Sequence, residues 1–323
     1  MTHVMTSAPG KVMVVGEYAV LDGAPAICMA VNRRARVSIK TRAGDRHRVS
    51  APGFRKEALE FDSINEIEHA LPLLAAAWRI LPTTRDGALS IEIDTSGFAI
   101  GSRKLGVGSS AAATVALVAG LAATFQTSNT VLQKAQLVHR DLQAGRGSGA
   151  DIACSFTGGV IEYRRDDSEV RNLAWPAELH YALLWSGQPA STRRQLEKLA
   201  GIGQAVSALE LRRVAEHVLD VWHNGTAGNI LGAIQEYATA LRRFDDDNRL
   251  GIYAAGHAEV ARQAESTDVV YKPCGAGGGD LGIAIACDDE SLAGFVASCR
   301  KLKFEPVELK IEPVGLAVER AEA

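Results

Sequence analysis

The sequence predicts an α+β fold in two domains, and three observations carry that expectation. Strand-like runs and helical periodicities are mixed along the chain, without the strict alternation of a doubly wound parallel sheet. Composition shifts near Asn172–Glu178, around Pro176, and divides the chain into residues 1–175 and 176–323. At 47% hydrophobic and 23% charged, a chain of 323 residues buries a substantial core in each part.

In the first part, apolar runs predict strands at Lys11–Val15, Ala35–Thr41, Leu89–Thr95 and Val160–Tyr163. Helical spacing appears at Ile64–Ile80, Ser109–Phe125 and Asn129–Gln143. The second part opens with strand Ala182–Trp185 and continues in helical pattern through Arg193–Leu199, Gly203–Trp222, Ala227–Phe244 and Gly251–Ser266. It closes with strands Val269–Lys272 and Leu281–Ala286, helix Glu290–Arg300 and strand Pro306–Ile311.

Several classes are excluded on composition. A formal net charge of −3 supplies no global basic field, so neither nucleic acid nor an anionic membrane is an expected partner. The 5 cysteines form no Cys-x-x-Cys pair, which argues for reduced thiols in the cytoplasm and against a disulfide framework or a zinc site. The first residues lack the basic and apolar segments of a signal peptide. Leu105–Gln133 carries no charge, but Gly, Ala, Ser and Thr dominate it, so it reads as a packed interior helix and not a membrane span.

Four segments carry candidate chemistry. In the first, Pro9-Gly10 breaks the chain before a strand and leaves Lys11 at its mouth, followed by Gly16-Glu17-Tyr18. Alone, it reads better as a buried strand with a surface lysine. The second, Lys104-Leu-Gly106-Val-Gly108-Ser109-Ser110-Ala111, leads into a helix. Its glycines let backbone N–H groups converge on an anion, and the helix N-terminus adds positive charge. Its lysine precedes the glycines, unlike a P-loop, and it lacks the third glycine and later acidic residue of a dinucleotide fingerprint. A capped helix start remains open for this segment taken alone. The third, Lys272-Pro-Cys-Gly275-Ala276-Gly277-Gly278-Gly-Asp280, packs four glycines between two strands, which suits close approach of backbone to a ligand. The fourth, Gly145-Arg-Gly-Ser148-Gly149-Ala-Asp151, sets a carboxylate after a glycine turn, as a proton acceptor or as a helix-start aspartate.

In this order and spacing, the segments resemble the superfamily of galactokinase, homoserine kinase, mevalonate kinase and phosphomevalonate kinase (GHMP kinases) over nearly the whole chain. Gly16–Val20, the run from His139 to Asp151, Trp185–Arg193 and the aspartate at Asp280 are most similar to its phosphomevalonate kinase branch. The resemblance implies a ribosomal-protein-S5-like N-terminal domain that binds ATP and a ferredoxin-like C-terminal domain. It implies Lys11 and Asp151 as catalytic residues. Lys104, Gly106, Gly108, Ser109, Ser110 and Ala111 would hold ATP, with Ser110 also on Mg²⁺. A phosphorylated small-molecule acceptor would meet Ser148, Gly149, Ser191, Thr192, Arg193, Gly275, Ala276, Gly277, Gly278 and Asp280. The reaction implied is phosphorylation of (R)-5-phosphomevalonate to the diphosphate on the mevalonate route, by a monomer or homodimer. Alternatives are a relative acting on a hydroxyl, a decarboxylase of the same fold, or a silent binding homologue. One departure stands out: the position eleven before Asp151, where mevalonate kinases carry a magnesium-binding glutamate, is Arg140.

Overall fold

The computed structural model describes residues 2–81, 87–101, 103–127, 130–145, 147–165, 170–190, 199 and 205–322. Its first sheet is organised around two long strands, β1 (Thr2–Val15) and β2 (Ala26–Arg42), paired antiparallel. Beyond β2, two shorter strands share its length. β8 (Val160–Tyr163) takes Ala26–Met29, and β5 (Ala88–Asp94) takes Arg36–Arg42. β3 (His47–Ser50) runs parallel to β5 and pairs with β4 (Leu59–Phe61), while β9 (Arg171–Leu173) pairs with β8.

Four helices accompany this sheet: α1 (Pro72–Ile80), α2 (Ser109–Phe125), α3 (Val131–Leu142) and α4 (Ala150–Thr157). Of the 17 residues of α2, 14 are buried, which accounts for the uncharged stretch: the helix packs on β1 and β2 and is flanked by the other three. Among the described residues, no helix is long and apolar enough to cross a membrane.

The second sheet is antiparallel, in the order β11 (Val270–Pro273), β12 (Leu281–Ala286), β10 (His180–Trp185), β13 (Glu305–Val307). Helices α5 (Val206–Asn224) and α6 (Ala227–Asn248) pack on each other, α7 (His257–Ala264) lies on β11, and α8 (Asp289–Cys299) lies on β10 and β12. The whole is the mixed α+β fold expected.

Local differences have physical causes. The helix expected at Ile64–Ile80 is two pieces, a 3₁₀ turn Ile64–Ile67 and then α1, because Pro72 has no N–H and starts a new helix at its first position. Gly251–Ser266 is helical only from His257, after Gly256 adopts a left-handed φ of 88°. The last strand of the second sheet stops at Val307. The chain then crosses back: Ile311 bridges to Val31, and β14 (Ala317–Glu322) pairs with the outer edge of β1. By strand pairing, residues 311–322 therefore join the first sheet and not residues 176–307. The helical pattern at Arg193–Leu199 falls almost wholly outside the described residues.

Candidate active site

Lys11 lies between two register shifts of β1, at Pro9/Gly10 and at Met13/Val15. Such bulges re-aim a strand residue, and the Lys11 N–H donates to the Val107 carbonyl at 2.9 Å. This draws the loop before α2 onto the strand. Gly10 has no room for a side chain, since a Cβ would meet the Val107 oxygen and the Phe98 ring. Gly106 and Gly108 hold φ of 77° and 76°, and a Cβ on Gly108 would press on the Lys11 stem. The amides opening α2 are thereby presented beside a lysine.

Asp151 stands in the first turn of α4, after Gly149 with φ 90°. Its Oδ1 is 2.8 Å from Lys11 Nζ, and the two side chains are 27% and 10% exposed. Burial works against the Lys11 charge, but attraction and a hydrogen bond from Asp151 outweigh it, so the ammonium is held more firmly than in a free lysine. The neighbouring Cys28 thiol is pushed up to about 12 by burial, which leaves it no nucleophile.

The β11–β12 loop closes the other side. Glu17, following β1, meets Lys272 of β11 at 2.5 Å, and both are fully buried. The same Glu17 oxygen accepts from the Gly275 N–H at 3.3 Å, and the Tyr18 hydroxyl donates to the Ala276 carbonyl at 2.6 Å. Gly277 packs on Ile252, and Gly278 N–H donates to the Ile252 carbonyl. The buried Asp245 carboxylate holds that segment by accepting the N–H groups of Gly251, Ile252 and Tyr253 at 2.6–2.9 Å. His257 completes the support. Its Nε2–H donates to the Gly279 carbonyl at 3.1 Å, its Nδ1 accepts from Tyr271, and burial pushes its pKa down to about 4. Asp280 Oδ1 accepts the Ala190 N–H at 3.1 Å, and the carboxyl lies against Gly106. Burial raises its pKa, against the pull of that N–H and of Lys11 and Lys104.

Two small cavities share Lys11, Gly275 and Ala276 here, and a third, larger one opens at the start of α2. One of about 80 Å³ is lined by Lys11, Tyr18, His139, Ser148, Asp151 and Gly275. A smaller one, of about 40 Å³, lies between the two glycine loops, against Lys11, Gly106, Asp280 and Gly275. The largest, about 330 Å³, has apolar walls from Phe54, Leu71, Leu73 and Phe98 and reaches Ser109 and Ser110.

Most sequence-predicted residues converge on this cleft: Lys11, Asp151, Gly106, Gly108, Ser109, Ser110, Ser148, Gly149, Gly275, Ala276, Gly277 and Asp280 all line a cavity or pack against one that does. Gly278 lines none of these cavities; it follows the cavity-lining Gly277 and is held to the Ile252 carbonyl. Ala111 is buried in the core, so only its backbone is available. Lys104 is exposed in the short hairpin of β6 (Ala99–Ile100) and β7 (Arg103–Lys104), at the rim of the largest cavity. Ser191, Thr192 and Arg193 lie outside the described residues.

Arg140, eleven positions before Asp151, is exposed on α3, and the inward residue is His139, 5% exposed. Burial lowers the His139 pKa and Lys11 adds to this, while Asp151 opposes it. Sequence reasoning assigned no role to Glu17, Lys272, His139 or Asp245. The one available signal was Lys272 itself, a charge inside an apolar strand. Among the described residues, no cluster of three His, Cys, Asp or Glu could hold a metal ion.

Helix-start amides near a charged lysine define an anion-binding cleft, of the kind a phosphotransferase uses. Comparison with known proteins narrows it. Residues 71–159 match the model described as the GHMP kinases N terminal domain. The phosphomevalonate kinase of Streptomyces sp. (strain CL190) is 29% identical, over 87% of this chain and 89% of that protein. The mevalonate kinase of Thermococcus sibiricus is 26% identical, over 98% of each. Streptococcus pneumoniae phosphomevalonate kinase, solved in complex with phosphomevalonate and AMPPNP, superposes with a TM-score of 0.80 at 17% identity, covering 95% of this chain and 99% of that one. Residues 71–159 thus carry a GHMP kinase N-terminal domain, and the relatives matched over most of the chain are kinases.

Proposed function

We propose that this protein transfers the γ-phosphoryl group of ATP to the phosphate of (R)-5-phosphomevalonate, giving 5-diphosphomevalonate and ADP. The observation that carries the acceptor is His139. The cavity wall beside Lys11 and Asp151 offers a buried imidazole where a metal-binding carboxylate would repel a phosphate dianion. Similarity to the Streptomyces enzyme over 87% of the chain supports the same choice.

The base of ATP fits the apolar cavity of Phe54, Leu71 and Leu73, with its phosphates over the amides of Ser109 and Ser110. The donor set suits Mg²⁺ held mainly by nucleotide phosphate oxygens and water, with the exposed Ser110 hydroxyl as protein ligand. Bound there, the ion supplies charge neutralisation. An acceptor phosphate oxygen forms the new bond to γ-phosphorus as the bond to ADP breaks, and no proton need be abstracted. Lys11 shares its charge between Asp151 and the transferring group, and Asp151 aims Lys11.

A second reading, phosphorylation of mevalonate, has its own support: Asp151 is 27% exposed and could take a hydroxyl proton. ADP release with Mg·ATP across phosphomevalonate, mevalonate, homoserine and hexoses tests both. Phosphomevalonate should be turned over with the highest kcat/KM; faster turnover of mevalonate would replace the first reading with the second.

A further inference from the structure

We infer that Glu17 and Lys272 are positioning residues, whose sealed ion pair latches the Gly275–Ala276 backbone onto the small cavity beside Lys11. Naming that cavity the acceptor's rests on the function proposed above. The geometry of the latch does not.

The pair joins the turn after β1, in the first sheet, to β11 in the second. Stability alone is a poor account of it, because desolvating two charges costs about as much as their attraction returns, and an apolar pair fills such space equally well. What an apolar pair lacks is an acceptor for the Gly275 N–H, and Glu17 Oε1 serves both Lys272 and that amide. Neighbouring residues converge on the same turn. Tyr237, from α6, accepts from the Gly16 N–H at 3.0 Å and donates to the Glu17 carbonyl at 3.1 Å. Tyr18 has φ 62° and ψ −47°, a backbone state costly for a residue with a side chain, and its hydroxyl ends on the Ala276 carbonyl. Strain of this kind persists where surrounding contacts over-determine it. Gly275 and Ala276 line both small cavities, so a displaced loop changes the walls around an acceptor. The large apolar cavity, lined by residues of the first sheet and its helices, would keep its shape.

Two neutral replacements separate a latch from core filling. Glu17→Gln with Lys272→Met keeps a side-chain oxygen for the Gly275 N–H, whereas Glu17→Leu with Lys272→Met removes it. Loss of one such bond corresponds to about tenfold in affinity. The first variant should hold KM for phosphomevalonate within about threefold of the parent, and the second should raise it about tenfold. KM for ATP should move less than about twofold in either, and amide exchange at 275–278 should accelerate only in the second. Equal acceptor KM and equal exchange in the two variants would overturn the inference, as would equal shifts for ATP and acceptor. Exchange reads the latch without acceptor, so a parent protein inert towards phosphomevalonate sinks the proposed function and not the latch. Should the leucine variant fail to fold, Tyr18→Phe removes only the hydroxyl bond to Ala276. It should raise acceptor KM several-fold, and an unchanged KM would overturn the inference.

Discussion

Two lysine–carboxylate pairs stand on the walls of one cleft, and they differ chiefly in access to water. Lys11 and Asp151 meet at 2.8 Å with 10% and 27% of their side chains exposed. Lys272 and Glu17 meet at 2.5 Å with none. An open pair can exchange part of its mutual attraction for a ligand's charge, whereas a sealed pair can only hold its surroundings in register. On the function and the latch proposed above, a lysine paired with a carboxylate does chemistry on one wall and alignment on the other, and exposure decides which.

The largest effect is expected from the open pair. Lys11→Met should lower turnover about a thousandfold or more with the thermal midpoint little changed, read by ADP release and circular dichroism. Near-normal turnover would end the contrast. On the sealed side the order reverses. Lys272→Met leaves Glu17 buried and uncompensated, and should cost about 3–5 kcal/mol of stability by urea titration.

A pH experiment sharpens the sealed side. His257, which grips the Gly279 carbonyl, has its pKa pushed from 6.5 down to about 4 by burial. The fold therefore favours the neutral ring. Its full contribution is present above pH 6.5 and is lost as pH falls from 6.5 towards about 4, where only the unfolded chain takes up the proton. Urea midpoints should fall more steeply across that window in the parent than in His257→Gln, by up to about 3 kcal/mol at pH 4. Parallel profiles would show that the imidazole is not held neutral. The smallest effect is expected from Asp151→Asn. With a phosphate acceptor that needs no base, kcat should drop only about tenfold, and a loss of about a thousandfold or more would mark a hydroxyl acceptor.

The glycine segments were legible because their cause is local. Gly108 at φ 76° and Gly149 at φ 90° start helices whose amides face a cavity, and composition alone points to such turns. Leu281–Ala286, apolar at every position, could be read as a buried strand and is one. The partners were not legible. Glu17 and Lys272 are separated by 255 positions, and nothing in either neighbourhood signals the other. On α3 the turn of the helix, not the count back from Asp151, sends His139 inward and Arg140 to water. The first half of β1 was missed because polar and apolar residues come in twos from Thr2 to Ser7 and a proline follows at Pro9, a pattern without the two-residue period of a strand, which becomes one only once neighbours pair on both sides.

That pairing also sets an order of events during synthesis. Ser7 pairs with Ala317, so the outer edge of β1 waits for residues made 310 positions later. At roughly 5–20 residues per second that is about 15–60 s on the ribosome. For that interval the strand that carries Lys11 offers a bare edge to any passing chain.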